Sequence, residues 1–152
     1  MKSAAFLVAA LLTATVVWGA DPMIGTWQVN IAKSKYAPGP PPERNTAVHS
    51  EDGGFIVSKT EGVDAKGRPF GSSYRWKKDG QDYAVTGARN FDALAAKRVN
   101  DRTTDFTYKR GGKVVATAHV VVSKDGKVAT LTYKGTDAEG KPLHNRIILE
   151  RQ

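Results

Sequence analysis

Cysteine is absent from the 152 residues. That excludes a disulfide framework, a lipid-modified N-terminal cysteine and a cysteine nucleophile, so packing and strand hydrogen bonds must carry the fold. Long apolar runs are scarce. The longest covers residues 4–17, short of the roughly 20 residues that a membrane helix needs. Acidic side chains are outnumbered, 15 against 23 Lys and Arg, for a formal charge of +8. The basic residues are scattered rather than clustered, which fits a solvated surface and argues against a nucleic-acid partner. Catalytic signatures are missing as well. There is no Gly-x-Ser-x-Gly, no Gly-x-Gly-x-x-Gly on a strand-to-helix turn and no Walker loop. Neither enzymatic activity nor a nucleotide cofactor is indicated. The three histidines, His49, His119 and His144, show no i,i+2 or i,i+4 spacing. They read as surface histidines rather than metal ligands.

What is present begins with a leader. Lys2 supplies a charged start, residues 4–17 an apolar run, and Trp18-Gly19-Ala20 leads into Asp21-Pro22. This is the pattern of a secretory signal peptide over 1–20, cut after Gly19 or Ala20, and it implies a periplasmic or secreted protein. Lys2 is the only charge removed with it, so the charge falls from +8 to +7. Residues 21–152 then suffice for one domain with no membrane span.

The last third of the chain sets the pattern for the rest. It reads as strand 114–123, Asp125-Gly126, strand 128–134, loop 135–142, strand 143–151. The same order occurs 73 residues earlier, where Asp52-Gly53 precedes Gly-Val-Asp-Ala-Lys-Gly-Arg-Pro at 62–69; the later copy is Gly-Thr-Asp-Ala-Glu-Gly-Lys-Pro at 135–142. Asp64 and Asp137 in these loops suit Asx-type turns better than calcium ligation. Further strands are expected over 23–30, 45–50, 55–61, 68–78, 81–86, 94–99 and 103–109. Between the first two lies a stiff segment with Pro38, Pro40, Pro41 and Pro42, which excludes strand or helix; one helical turn is expected at 32–35. Ten antiparallel strands without helices would leave open edges unless the sheet closes. The fold expected is therefore all-β, a single antiparallel up-and-down barrel of about eight to ten strands.

Register supports this. A two-residue turn at Asp125-Gly126 sets Leu131 opposite Val120, Tyr133 opposite Ala118 and Ala129 opposite Val122, an apolar face. The same turn at Asp79-Gly80 sets Trp76 opposite Tyr83 and Tyr74 opposite Val85. At Gly111-Gly112 a two-residue turn would point Phe106 and Tyr108 outward, so a three-residue loop with a glycine bulge is expected. The interior then mixes Phe55, Tyr74, Trp76, Tyr83, Phe106, Tyr108 and Tyr133 with Ala96, Ala116, Ala118 and Ala129. Two interiors fit those residues: an open lumen walled by aromatics, or a core in which rings fill the space above alanines.

Gly-Thr-Trp at 25–27, on the first strand, resembles the Gly-x-Trp signature of lipocalins and the Gly-Thr-Trp opening of fatty-acid-binding proteins, together the calycins. Ser-Lys-Tyr-Ala-Pro-Gly-Pro at 34–40 and the two Asp-Ala-x-Gly loops are similar to a group of bacterial exported lipocalin-like proteins. The resemblance implies a barrel whose floor is closed by Trp27 under Arg151, with Arg146 out of phase. Together with the inward aromatics and small interior residues, it points to a small, largely hydrophobic molecule as ligand, bound by Tyr74, Trp76, Tyr83, Phe106, Tyr108 and Tyr133. Two features depart from it. The Pro-rich segment stands where fatty-acid-binding proteins have a helical lid, and Ile147 and Leu149 occupy the places of their carboxylate-gripping Arg-x-Tyr pair. The other reading is a filled barrel that meets a protein partner through its loops.

Overall fold

The computed structural model describes residues 19–152, so nearly all of the leader lies outside the described residues. Ten strands follow in order: β1 (Gly25–Val29), β2 (Arg44–Asp52), β3 (Phe55–Val63), β4 (Pro69–Trp76), β5 (Asp79–Thr86), β6 (Ala93–Asn100), β7 (Thr103–Arg110), β8 (Lys113–Val122), β9 (Val128–Thr136) and β10 (Pro142–Arg151). Each pairs antiparallel with its predecessor, and β1 bridges β2 and β10 to close a single up-and-down barrel. No described residue is helical, and no described helix is long and apolar enough to cross a membrane. The turn expected at 32–35 is one hydrogen bond, from Ser34 N–H to the Ile31 carbonyl at 3.2 Å.

Alternation of connections gives the barrel two ends. The upper end carries the β1–β2, β3–β4, β5–β6, β7–β8 and β9–β10 connections, and the lower end the other four together with Gln152. Both duplicated loops therefore sit at the upper end, and their internal bonding is the same. Asp64 N–H donates to the Arg68 carbonyl and Asp137 N–H to that of Lys141, both at 2.9 Å. Asp64 Oδ1 accepts from the N–H groups of Lys66 and Arg68, and Asp137 Oδ1 from those of Glu139 and Lys141. These are the expected Asx turns, each completed by a glycine at positive φ, Gly67 at 73° and Gly140 at 80°.

β1 is only five residues long and cannot cover the edge of β10 by itself. Beyond Val29 the chain continues along β10. Asn30 N–H donates to the Ile148 carbonyl at 2.8 Å, Lys35 and Arg146 exchange backbone bonds at 2.8 and 2.9 Å, and His144 N–H donates to the Ala37 carbonyl at 2.8 Å. The prolines begin where this pairing ends, as residues without an N–H must. The segment is a strap on a strand edge, and it protects what would otherwise be unpaired backbone.

Most registers follow expectation, several turns do not, and the expected pairing of Trp76 with Tyr83 is not formed: the β4–β5 ladder holds only Ser73 with Thr86 and Tyr74 with Val85. Leu131, Tyr133 and Ala129 face Val120, Ala118 and Val122, and Tyr74 faces Val85. The β2–β3 turn, however, is Gly53-Gly54, between Asp52 and Phe55, because both glycines take positive φ, 55° and 78°. Asp125 cannot match that. Only Gly126 is at positive φ there (72°), and a wider connection keeps the same register. Asp79 and Gly80 lie inside β5. At Gly111-Gly112 the turn is a two-residue one between Arg110 and Lys113, not the three-residue loop expected. The register correction sits within β8 instead: Lys109 pairs with Val114 and Tyr108 with Ala116, which leaves Val115 as the bulge. Two glycines at positive φ satisfy a tight hairpin, so the strand takes the extra residue. Phe106 and Tyr108 face inward as expected.

The floor of the barrel is organised by Arg151. Its Cα pairs with that of Trp27, and its guanidinium lies 4.4 Å from the centre of the indole ring. Nε donates to the Gly126 carbonyl at 2.7 Å and Nη2 to that of Pro22 at 2.6 Å, while Nη1 reaches the Ile24 carbonyl. Trp27 Nε1 donates to the Met23 carbonyl at 2.8 Å, which seats Met23 in the core. At Gly25 (φ 133°) an added Cβ would collide with Arg151 Nη1, so glycine is required by both backbone and space. Arg151→Ala is expected to lower stability by about 3 kcal/mol in denaturant unfolding, from lost charged hydrogen bonds and cation–π contact. Arg146→Ala, at an exposed side chain, is expected to stay within about 0.5 kcal/mol.

Candidate functional site

The inward-facing positions enclose a cavity of about 370 Å³. Its wall has two chemically different arcs. From β7 to β10 it is mostly apolar, with Phe106, Val120, Val122, Ala129, Leu131, Ile147 and Leu149, and the phenols of Tyr108 and Tyr133 are its polar atoms. From β2 to β4 it presents Asn45, His49, Thr60, Ser72 and Tyr74. Pairing explains the second arc. Trp27 must face in, Ala47 lies opposite it, and Asn45 and His49 share the phase of Ala47. On β3 the partners of Ala47 and His49 are Thr60 and Ser58, so the polar phase of β3 turns inward. Phe55 is consequently outside, contrary to expectation, with Arg75 and Lys77 stacked 4.1 and 4.3 Å from its ring centre.

Ser58, fully buried, is the hub of the polar arc. Its hydroxyl accepts a hydrogen bond from Trp76 Nε1 at 2.8 Å and lies 2.7 Å from His49 Nδ1. Because Ser58 is not in the cavity wall, the pair orients an imidazole and an indole. It does not present a nucleophile. Burial pushes His49 down to about 4, while Asp21 and Lys78 below it act in opposite directions. Those two form their own ion pair at 2.8 Å beneath the floor. The imidazole is therefore a neutral polar group at pH 7. Burial likewise raises the phenols of Tyr74, Tyr108 and Tyr133, which keeps them protonated.

Of the residues expected to line a lumen, Tyr74, Trp76, Phe106, Tyr108 and Tyr133 share this wall. The rings of the last four form a connected set: Trp76 to Phe106 at 5.0 Å, Phe106 to Tyr108 at 6.1 Å and Tyr108 to Tyr133 at 5.7 Å between centroids. Tyr83 stands apart. Its ring meets Phe55 edge-on at 6.0 Å and its hydroxyl donates to Asp79 Oδ2 at 2.7 Å. Asn45 and His49 went unnoticed in the sequence, where His49 resembled a surface histidine. The available signal was their even spacing from Ala47 opposite Trp27. His119 does lie on the exterior, 2.6 Å from Asp105 Oδ1.

At the upper end the β5–β6 connection folds over the cavity. Phe91 packs on Tyr108 at 4.7 Å, and Gly87 (φ 85°) approaches so closely that a Cβ would lie 2.7 Å from the Gly71 carbonyl. Arg89, also at this rim, donates to Asp64 Oδ2 at 2.9 Å and to the Pro69 carbonyl at 3.0 Å. It ties one duplicated loop to the mouth, and with Arg68 it holds the Asp64 carboxyl well below the usual carboxylate range. No residue of the proline-rich strap lines the cavity.

No family model and no curated protein sequence matches the chain. Its fold is similar to a solved structure, that of Rv2717c from M. tuberculosis, with a TM-score of 0.53 and 16% sequence identity over 86% of this chain and 93% of that one. At that identity the likeness concerns the fold alone, a closed antiparallel barrel.

Two measurements check this site. As pH falls through the unfolded histidine value near 6.5 toward 4, the unfolded chain takes up a proton that buried His49 refuses, so stability drops. Between pH 7 and 4.5 the protein is expected to lose about 2–3 kcal/mol more than its His49→Gln variant in unfolding titrations. Ser58→Ala strips Trp76 and His49 of their shared partner, with an expected cost of about 1–3 kcal/mol at pH 7.

Proposed function

We propose that this chain is an exported, lipocalin-like binding protein that holds a small, largely apolar molecule inside its barrel. The carrying observation is the cavity of about 370 Å³, walled mostly by apolar and aromatic side chains with a few polar groups along one side. That size and composition are typical of small-ligand sites. Three features add support: the calycin-like closure of Trp27 under Arg151, the leader-like composition of residues 1–20, and the inaccessibility of Ser58 beside His49. The last of these favours binding over catalysis.

A second reading rests on the two duplicated loops, which share one conformation and one end of the barrel. A pair of matched, charged loops is a suitable contact surface for a protein partner. The cavity ranks it second, because a module acting only through loops needs no internal space.

Native mass spectrometry of protein purified from its own host, followed by denaturation and extraction, tests the first reading. The expected result is a non-covalent adduct that an organic extract recovers as an apolar molecule. A clean apo mass, together with tryptophan fluorescence unmoved by a panel of lipids, would sink it and direct attention to the loops.

A further inference from the structure

Granted the binding function proposed for the barrel, on which this inference rests, the two arcs of its wall restrict the chemistry of the ligand further. A purely hydrocarbon ligand would leave one side of the cavity mismatched. Asn45 Oδ1, on β2, is shielded from solvent and has no hydrogen-bond partner among the described residues. It lines the cavity with Thr60, Tyr74 and His49. A buried carbonyl oxygen without a donor is rare in folded proteins and unfavourable. A donor brought by the ligand relieves it.

Charge is matched just as poorly for an ionic ligand. The described wall contains no Asp, Glu or Lys, and Arg89 is its one permanently charged side chain. The Arg89 guanidinium is already engaged by Asp64 and the Pro69 carbonyl at the rim. Arg151 is spent below the floor on three backbone carbonyls. A carboxylate or phosphate drawn into the cavity would thus lie without a counter-ion, which a low-dielectric site penalises heavily. An ammonium group would find no carboxylate.

We propose that the cavity takes uncharged amphiphiles, an apolar body bearing a hydroxyl or amide N–H, and that this group donates its hydrogen bond to Asn45 Oδ1 once the Asn45 amide turns to present that oxygen to the cavity. The apolar body lies against β7 to β10, and the polar group points sideways to β2 rather than out of the mouth. The volume of about 370 Å³ equals that of about a dozen water molecules in the liquid, so a ten-carbon chain is a suitable probe.

The test compares 1-decanol, decanoate and nonyl methyl ether, an isomer of decanol that is neutral but has no donor, by calorimetry at pH 7 with tryptophan fluorescence as a second readout. Trp27 and Trp76 both border the cavity. Decanol is expected to bind about five- to tenfold more tightly than the ether, the worth of one hydrogen bond, and at least about tenfold more tightly than decanoate. Asn45→Leu is expected to bring decanol to the level of the ether while the ether is unaffected or improved, with thermal unfolding confirming an intact fold. Decanoate or the ether binding as tightly as decanol overturns the proposal and leaves the carrier reading standing. So does an unchanged decanol affinity in Asn45→Leu. If none of the three binds, both fall.

Discussion

Everything in this barrel depends on closing a ten-stranded sheet through a first strand of five residues. A strand that short contributes few hydrogen bonds, so its position is secured from below. Arg151 does this by stacking on Trp27 while binding the carbonyls of Pro22, Ile24 and Gly126. One side chain on the last strand thereby fixes the first strand, the segment before it and the β8–β9 turn. The strap along β10 completes the seam at the upper end. No disulfide is available to this chain, and closure removes the free edges that would otherwise invite pairing with other chains.

Closure also decides what the interior looks like. Once Trp27 faces inward beside Arg151, its neighbour Ala47 must do the same, and with it Asn45 and His49. Their partners on β3 follow, so Ser58 and Thr60 turn inward and Phe55 outward. The polar arc is therefore a consequence of the same contact that shuts the floor. Ser58 makes it tolerable by satisfying the indole of Trp76 and orienting His49. Asn45 Oδ1 is the buried atom of the arc that has no partner among the described residues, which is why it is proposed as a contact for a ligand.

Legibility in the sequence varied with the contrast between the two faces of each strand. Along β8 and β9 one face is apolar throughout, and pairings such as Leu131 with Val120 could be read directly. Ten strands, the inward Phe106 and Tyr108 and the Asx turns of both duplicated loops were legible for similar reasons, each resting on local chemistry. Turn positions were less so. Asp-Gly pairs looked like the hairpin tips, but glycine at positive φ decides a tight turn, and Gly53-Gly54 and Gly111-Gly112 supplied two in a row. The bulge at Val115 could not be located from the residues because any position near the turn would restore the same register.

What the chain alone determined, then, was an all-β barrel, its strand count and the register of its most alternating hairpins. These rest on two-residue periodicity and on turn residues, both of which act within a few positions of sequence. Tertiary structure decided the in-or-out phase of β2 and β3, the displacement of Tyr83 from the wall, and whether an internal space exists. Neither β2 nor β3 has a clearly apolar face, so their phase is imposed by neighbours that pair with them. A cavity is the small difference between the volume that ten strands enclose and the volume their side chains fill, and that difference belongs to no single segment.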